Sequence, residues 1–262
     1  MKHYIKVYIR ILRINFSEFK AYRANMLNTF LSSTTWGIFA IVGPLLLTSN
    51  VTIVVGWKRE ELLILAAIQS ILIGIFDCLF ARSLSRLPLY VELGQLDSYL
   101  LKPVNDQFFI SLHKINYGSL LRSGIGIFFL IYLIYVYHIQ ITPLGLFFGI
   151  SALCMGLLSL YAIWFISMTL TLWFTRLSNI SDLLYTLRGI SRYPEQIMRE
   201  VSIYVFILFF PLAIVVARPT ALLLNKMDNN VILISFIFTA ILLYVSHRVW
   251  LFALRSYTSA SS

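Results

Sequence analysis

From Ser123 to Thr175, between Arg122 and Arg176, the chain runs for 53 residues without one Asp, Glu, Lys or Arg. As a single α-helix that run would extend roughly 80 Å, against a bilayer hydrocarbon core of about 30 Å. It has to fold back on itself, and His138-Ile-Gln-Ile-Thr-Pro143 is the one polar, proline-marked place in the run to do so. With 59% hydrophobic residues over 262 positions, no water-soluble class stays open and no room is left for a separate soluble domain. A backbone in lipid must satisfy its own hydrogen bonds, so the chain reads as an all-α integral membrane protein.

Uncharged runs of adequate length predict four further spans: about Leu27 to Leu47, Leu62 to Phe80 with the single acid Asp77 near its end, Val201 to Ala217, and Val231 to Ser246. Six transmembrane helices put both termini on one side. Basic residues choose the side: 16 Lys and Arg fall on the face of the termini and four on the opposite face, with Arg122 inside a span. The positive-inside rule therefore predicts cytoplasmic termini. The net charge of +10 is a topology signal and not a nucleic-acid footprint. Cys78 and Cys154 both fall in spans and read as buried apolar residues without a disulfide framework. The charged region of residues 1–23 is too long for a cleaved signal peptide.

Ile5, Ile9, Leu12, Phe16 and Phe19 recur at steps of four and three, with Lys6, Arg10, Arg13 and Lys20 one position further round. This pattern predicts an amphipathic helix in the cytoplasmic headgroup layer, with membrane lipids as its partner. The chain thus divides into an interfacial helix over 1–24 and a six-helix membrane domain over 25–262. A second stripe, Leu177, Ile180, Leu184, Leu187 and Ile190, predicts that span four continues along the surface until Arg192-Tyr193-Pro194.

Span four carries Gly145, Gly149, Ala152, Gly156 and Ser159 at steps of four and three. Small residues let helix backbones approach closely in lipid, so the stripe predicts packing against a helix of the same subunit or of a second copy. Asp77 and Arg122 are the two charges that enter spans. Such charges are costly unless paired or hydrated. A mutual ion pair is the reading, with a substrate contact for Arg122 or snorkelling of either residue as alternatives.

Between spans two and three, after Arg86, lies the polar segment Glu92-Leu-Gly-Gln-Leu-Asp-Ser-Tyr-Leu-Leu-Lys-Pro-Val-Asn105. Gly94 can break a helix and Asp97 can cap a new one. Leu96, Leu100 and Leu101 give that turn one apolar side, and Lys102-Pro103 ends it, since the residue before a proline is pushed out of the helical region. Spacing alone allows either a connector that reverses the chain or a docking element for a soluble partner. No G-x-x-x-x-G-K-[ST], His-Glu-x-x-His or Gly-x-Ser-x-Gly motif occurs, so no residue is singled out as catalytic or metal-ligating.

The same segment resembles the cytoplasmic loop of the ABC-2-type permease family, in a bacterial branch of similar length, through Gly94, Leu96-Asp97, Leu100-Leu101, Pro103 and Asn105. Gly56-Trp57 with Glu60-Glu61-Leu62 resembles that branch's entry to span two. Arg192-Tyr193-Pro194, Pro211 and Pro219 resemble its proline-marked fifth span, and Trp250, Arg255 and Tyr257-Thr258-Ser259-Ala260-Ser261 its C-terminal end. The closing serines depart from the glycine expected there. The resemblance covers nearly the whole chain and implies a type V exporter-like transmembrane domain. Two such permease subunits, identical or paralogous, would pair in the bacterial plasma (inner) membrane, each engaging one of two copies of an ABC ATPase subunit. ATP and Mg would sit on that ATPase; this chain would bind no cofactor, be no enzyme and form the export pathway. Arg86, Glu92, Gly94, Leu96, Asp97, Leu100, Leu101, Lys102, Pro103 and Asn105 would then form the ATPase-coupling loop, and Pro211 a hinge in span five, because proline removes a helical hydrogen bond. The alternatives are a membrane-integral enzyme acting on lipid-linked substrates and a non-transporting membrane scaffold.

Overall fold

Helices make up nearly all of the structure, a computed structural model that describes residues 2–49, 53–54, 56–174, 179–192, 211, 215–226 and 230–257. In chain order they are α1 (Lys2–Ala21), α2 (Arg23–Leu47), a hairpin of β1 (Ile53–Val54) and β2 (Trp57–Lys58), α3 (Arg59–Phe76), α4 (Arg82–Leu84), α5 (Leu87–Glu92), α6 (Leu96–Leu100), α7 (Asp106–Leu112), α8 (Leu120–Val136), α9 (Pro143–Thr169), α10 (Ile180–Leu187) and α11 (Asn230–Ser256). Among the described residues, five helical stretches are long and apolar enough to cross a membrane: Arg23–Leu47, Arg59–Glu92, Tyr117–Val136, Pro143–Leu172 and Asn230–Ser256. The predicted span Val201 to Ala217 lies outside the described residues apart from Pro211 and 215–217, which are helical.

The uncharged run folds back at its polar stretch. Helix α8 stops at Val136, His138 takes a φ of 48°, and Thr142 caps α9, its Oγ1 accepting from the Gly145 N–H at 3.0 Å. Pro143 opens α9, where a missing N–H leaves no helical bond unmade.

The second span runs on past Phe80 to Glu92 as a 34-residue stretch, roughly 50 Å of helix. A π-helical turn at Asp77–Ala81 and a break at Ser85–Arg86 bend it. Tertiary burial explains the extension: Leu84, Leu87, Tyr90 and Val91 are all buried. Helix α3 is apolar all round and buried on nearly every side, the pattern of a central helix. Helix α8 crosses it antiparallel at two glycines. A Cβ at Gly74 would collide with Ser123, and one at Gly126 would lie 2.9 Å from the Ala67 carbonyl oxygen. Arg122 therefore sits level with Gly74 on α3 and with Gly37 on α2.

All five residues of the span-four stripe are buried, and this chain itself covers them. Gly145 and Gly149 face Leu223, Gly156 faces the Val215 carbonyl, and Ser159 Oγ bonds Thr239 Oγ1 of α11 at 2.9 Å. Cys154 points the other way and is exposed, unlike the buried Cys78, because it lies about 200° around the helix from Ala152. Span four does not continue directly into the next helix. It ends in a 3₁₀ turn at Leu170–Leu172, and α10 starts afresh at Ile180 with Leu184 buried; Leu177 of the predicted stripe lies outside the described residues.

Loops gather at two ends. At one, Lys226 pairs with Glu61 and donates to the Gly56 carbonyl at 3.2 Å, while Thr142 donates to Asn225 Oδ1 at 3.1 Å. At the other, α1 meets the segment α5–α7.

Candidate functional site

The α5–α7 segment forms an elbow whose turns follow local chemistry. Gly94 ends α5 with a φ of 64°, a left-handed conformation that costs glycine nothing. Gln95, and not Asp97, is the N-cap of α6, and Asp97 falls within its first turn. Asn105 caps α7, its Oδ1 accepting from the Phe108 N–H at 2.9 Å.

The three leucines do not share one side. Leu96 is fully buried and Leu100 packs partly buried against the same core, whereas Leu101 is 86% exposed. Positions 96 and 100 stand one turn apart and face inward; position 101 lies about 100° further round. Leu93, 58% exposed, and Pro103 are exposed like Leu101, and Pro103 also lines the cavity between α1 and the elbow. Asp97 lies beside Tyr257 at the end of α11, whose phenol is raised by burial and by that carboxylate. Lys102 folds back over the rings of Phe109 and Tyr99, at 4.0 and 4.8 Å, and burial lowers its ammonium pKa. Arg86 stands apart from the elbow tip, in a cavity wall near Asp77.

Residues outside the loop motif anchor the elbow, and the sequence pattern did not single them out. The buried Asn15 amide of α1 donates to the Ile11 and His113 carbonyls, both at 2.9 Å, and accepts from the Ile115 N–H at 3.1 Å. Ser83 Oγ donates to the Lys114 carbonyl at 3.0 Å and accepts from its N–H at 2.7 Å, tying the elbow to α4. Gln107 Nε2 donates to Tyr161 Oη at 3.2 Å and Ser246 Oγ at 3.5 Å, while its Oε1 accepts from His247 Nδ1 at 2.9 Å. The elbow is thereby tied to α1, to the bent second span, and to α9 and α11.

His113 is the elbow's internal keystone. Its Nδ1–H donates to the Ile110 carbonyl at 3.1 Å, leaving Nε2 to accept from Tyr90 Oη at 2.9 Å, and its ring stacks on Phe109. Burial pushes its pKa down to about 4. An undocked imidazole takes a proton near pH 6.5, whereas the docked one resists to about 4, so elbow stability is complete above 6.5 and falls as pH drops through that window. The loss approaches ~3 kcal/mol at its acid end. The thermal midpoint of the purified protein is expected to fall between pH 7 and 5, and His113→Gln to flatten that slope even while lowering the starting value. An equal slope in both proteins would dissociate His113 from it.

The intramembrane charges are arranged differently from the expected Asp77–Arg122 pair. Asp77 makes its ion pair with Arg188, whose guanidinium lies 4.5 Å over the Tyr185 ring. Residues after span four fold back over the π-turn and bring Arg188 to Asp77. Arg122 lines the same cavity as this pair, with α2 residues Asn28, Thr29, Ser32 and Ser33 on its wall. That cavity, about 200 Å³, adjoins one of about 570 Å³ bounded by Trp36, Gln69, Arg122 and Asp182, and one of about 370 Å³ reaching Arg82 and Arg86.

A family model described as ABC-2 family transporter protein matches residues 34–261. No curated protein and no solved structure matches the chain.

Proposed function

Because this chain belongs to the ABC-2 transporter family, as a permease-type membrane component of an ABC transporter, we propose that it forms the substrate pathway of an exporter and receives its drive from a separate ATPase through the elbow. Two such subunits, identical or paralogous, pair in a bacterial plasma membrane with both termini in the cytoplasm, and each engages one of two ATPase copies. ATP and Mg are bound and consumed on the partner. This chain supplies the docking edge, the linkage and the pathway.

One observation carries the reading: the elbow exposes Leu93, Leu101 and Pro103 while the same segment is hydrogen-bonded to three separate spans. An apolar edge at a membrane protein's aqueous face suits burial by a protein partner. A push on that edge is passed to α4, α9 and α11, since Ser83, Tyr161 and Ser246 are bonded to the elbow's own residues. Closure of the ATPase dimer would thus move the ends of several spans together.

Leu101→Asp is the direct test. The position lies outside the spans and is 86% exposed, so the protein is expected to reach the membrane at its normal level. A carboxylate there opposes burial by the partner, and an interface hot spot is worth about 2 kcal/mol, roughly thirtyfold in affinity. Copurification of the ATPase should fall accordingly and export with it. Leu100→Asp is expected to damage the elbow itself, since Leu100 packs against the core. Undiminished copurification and export from Leu101→Asp and Leu93→Asp would make the elbow a plain connector.

A further inference from the structure

We propose that the cavity between α1 and the elbow binds the head of an anionic membrane phospholipid, its phosphate held by Lys6, Arg10 and Lys102 and its glycerol and upper chains by an apolar wall. The space, about 610 Å³, lies in the usual range for small-molecule sites. Its charge is one-sided. Among the described residues, Lys6, Arg10 and Lys102 line it with His3, and no carboxylate does. These three cations are also uncommitted: the ion pairs among the described residues are Lys114–Glu18, Arg188–Asp77 and Lys226–Glu61. The Lys102 ammonium rests instead over the rings of Phe109 and Tyr99, and burial there lowers its pKa with no carboxylate to offset the shift.

The rest of the wall is apolar, with Val7, Ile11 and Ile14 from α1 and Val104 and Phe109 from the elbow. Helix α1 supplies the way in. In Ile5-Lys6-Val7 and again in Ile9-Arg10-Ile11, each residue turns about 100° further round, from an exposed apolar face through a cation to the cavity wall. A helix whose apolar face enters the headgroup layer carries its flanking cations at the depth of the lipid phosphates. A free inorganic anion needs no apolar wall, and a zwitterionic head gains little from three cations without an acid beside them. An acidic protein segment would use the cations but not the exposed Ile5 and Ile9 next to them. Because the walls belong to two elements, a bound lipid bridges α1 and the elbow alongside the Asn15 bonds. Neither the site nor its test rests on the permease reading.

The test is calorimetric titration of the purified, delipidated chain in neutral detergent with four probes: dihexanoyl phosphatidylglycerol, dihexanoyl phosphatidylcholine, inorganic phosphate and hexaglutamate. Saturable binding of the phosphatidylglycerol is expected, with the other three about tenfold weaker or more. Lys102→Gln should weaken it about tenfold, and Lys6→Gln and Arg10→Gln each several-fold. Lys6 and Arg10 are exposed, so their variants keep the fold and decide the matter should Lys102→Gln disturb the elbow. Arg13→Gln is the control: Arg13 is a cation of the same helix that does not line the cavity, and its loss should leave binding nearly unchanged. A loss from Arg13→Gln equal to that from Lys6→Gln would mean diffuse attraction to a basic helix and overturn the cavity site. Phosphatidylcholine binding as tightly as phosphatidylglycerol would overturn the anionic head. Phosphate binding as tightly would overturn the lipid, and hexaglutamate binding as tightly would give the cavity to an acidic protein segment instead.

Discussion

Asp77→Asn is expected to destabilise the protein by about 3–5 kcal/mol, and Arg188→Gln by less, although the two residues form one ion pair. The asymmetry comes from Arg122, which lines the same cavity as the pair. Removing the aspartate leaves the Arg188 guanidinium without its carboxylate in a cavity wall that Arg122 also lines. Removing Arg188 leaves Asp77 with a second cation close by. The double neutral variant Asp77→Asn/Arg188→Gln should recover much of the loss, because deleting both members of a buried pair can be nearly neutral. Thermal unfolding midpoints and folded yield in a mild detergent give the comparison. Stronger recovery from Asp77→Asn/Arg122→Gln would mean that the functional pair is Asp77 with Arg122 after all.

The second large effect is expected at Asn15. Its side chain satisfies one carbonyl and one N–H of the elbow, at His113 and Ile115, in a site where both are buried. Asn15→Leu leaves both groups without this partner, at about 1–3 kcal/mol each. The other polar links of α1 are Glu18 with Lys114 at 3.0 Å, partly exposed and worth roughly 1 kcal/mol or less, and Tyr117 Oη donating to the Leu12 carbonyl at 2.9 Å, and neither replaces the two bonds Asn15 makes. Helix α1 should therefore detach while the spans stay inserted, and trypsin should cut faster at Arg10 and Arg13. Asn15→Asp keeps the acceptor and loses the donors, so an intermediate rate is expected. Unchanged cleavage in Asn15→Leu would show that apolar contacts at Ile11 and Leu12 suffice. Residues before position 34 lie outside the family match, so this latch is read from the present chain alone.

Both expectations depend on contacts that hydropathy does not report. The membrane class, the fold-back at His138, the approximate limits of α2, α8 and α9 and the start of α11 were legible in the sequence, because lipid imposes length and polarity on each segment separately, whereas α11 runs past the expected Ser246 to Ser256. The elbow's position was legible as well, from Gly94 and the Lys102-Pro103 break, since turn chemistry acts within a few residues. The register of α6 was not: one residue of offset separates buried Leu100 from exposed Leu101, and burial of Leu96 against the core sets it.

The N-terminal helix shows the same division. Its amphipathic pattern was readable, and Ile5, Ile9 and Phe16 do remain exposed. Yet the most buried positions are Ile11 and Asn15 beside it, where the elbow offers partners for the Asn15 amide, while Leu12, Phe16 and Phe19 of the stripe also pack on the protein, the two phenylalanines against Tyr117. Likewise the span-four glycines announced close packing, and only the fold supplied the occupant, this chain's own residues 215–225 and α11. Sequence alone determined what each segment is, through period, length and local turn chemistry. The tertiary structure decided which segments meet: Asp77 and Arg188 stand 111 positions apart, Gln107 and Ser246 139, and such pairs are selected by how helices pack and by the cost of leaving a charge or amide unpaired in lipid.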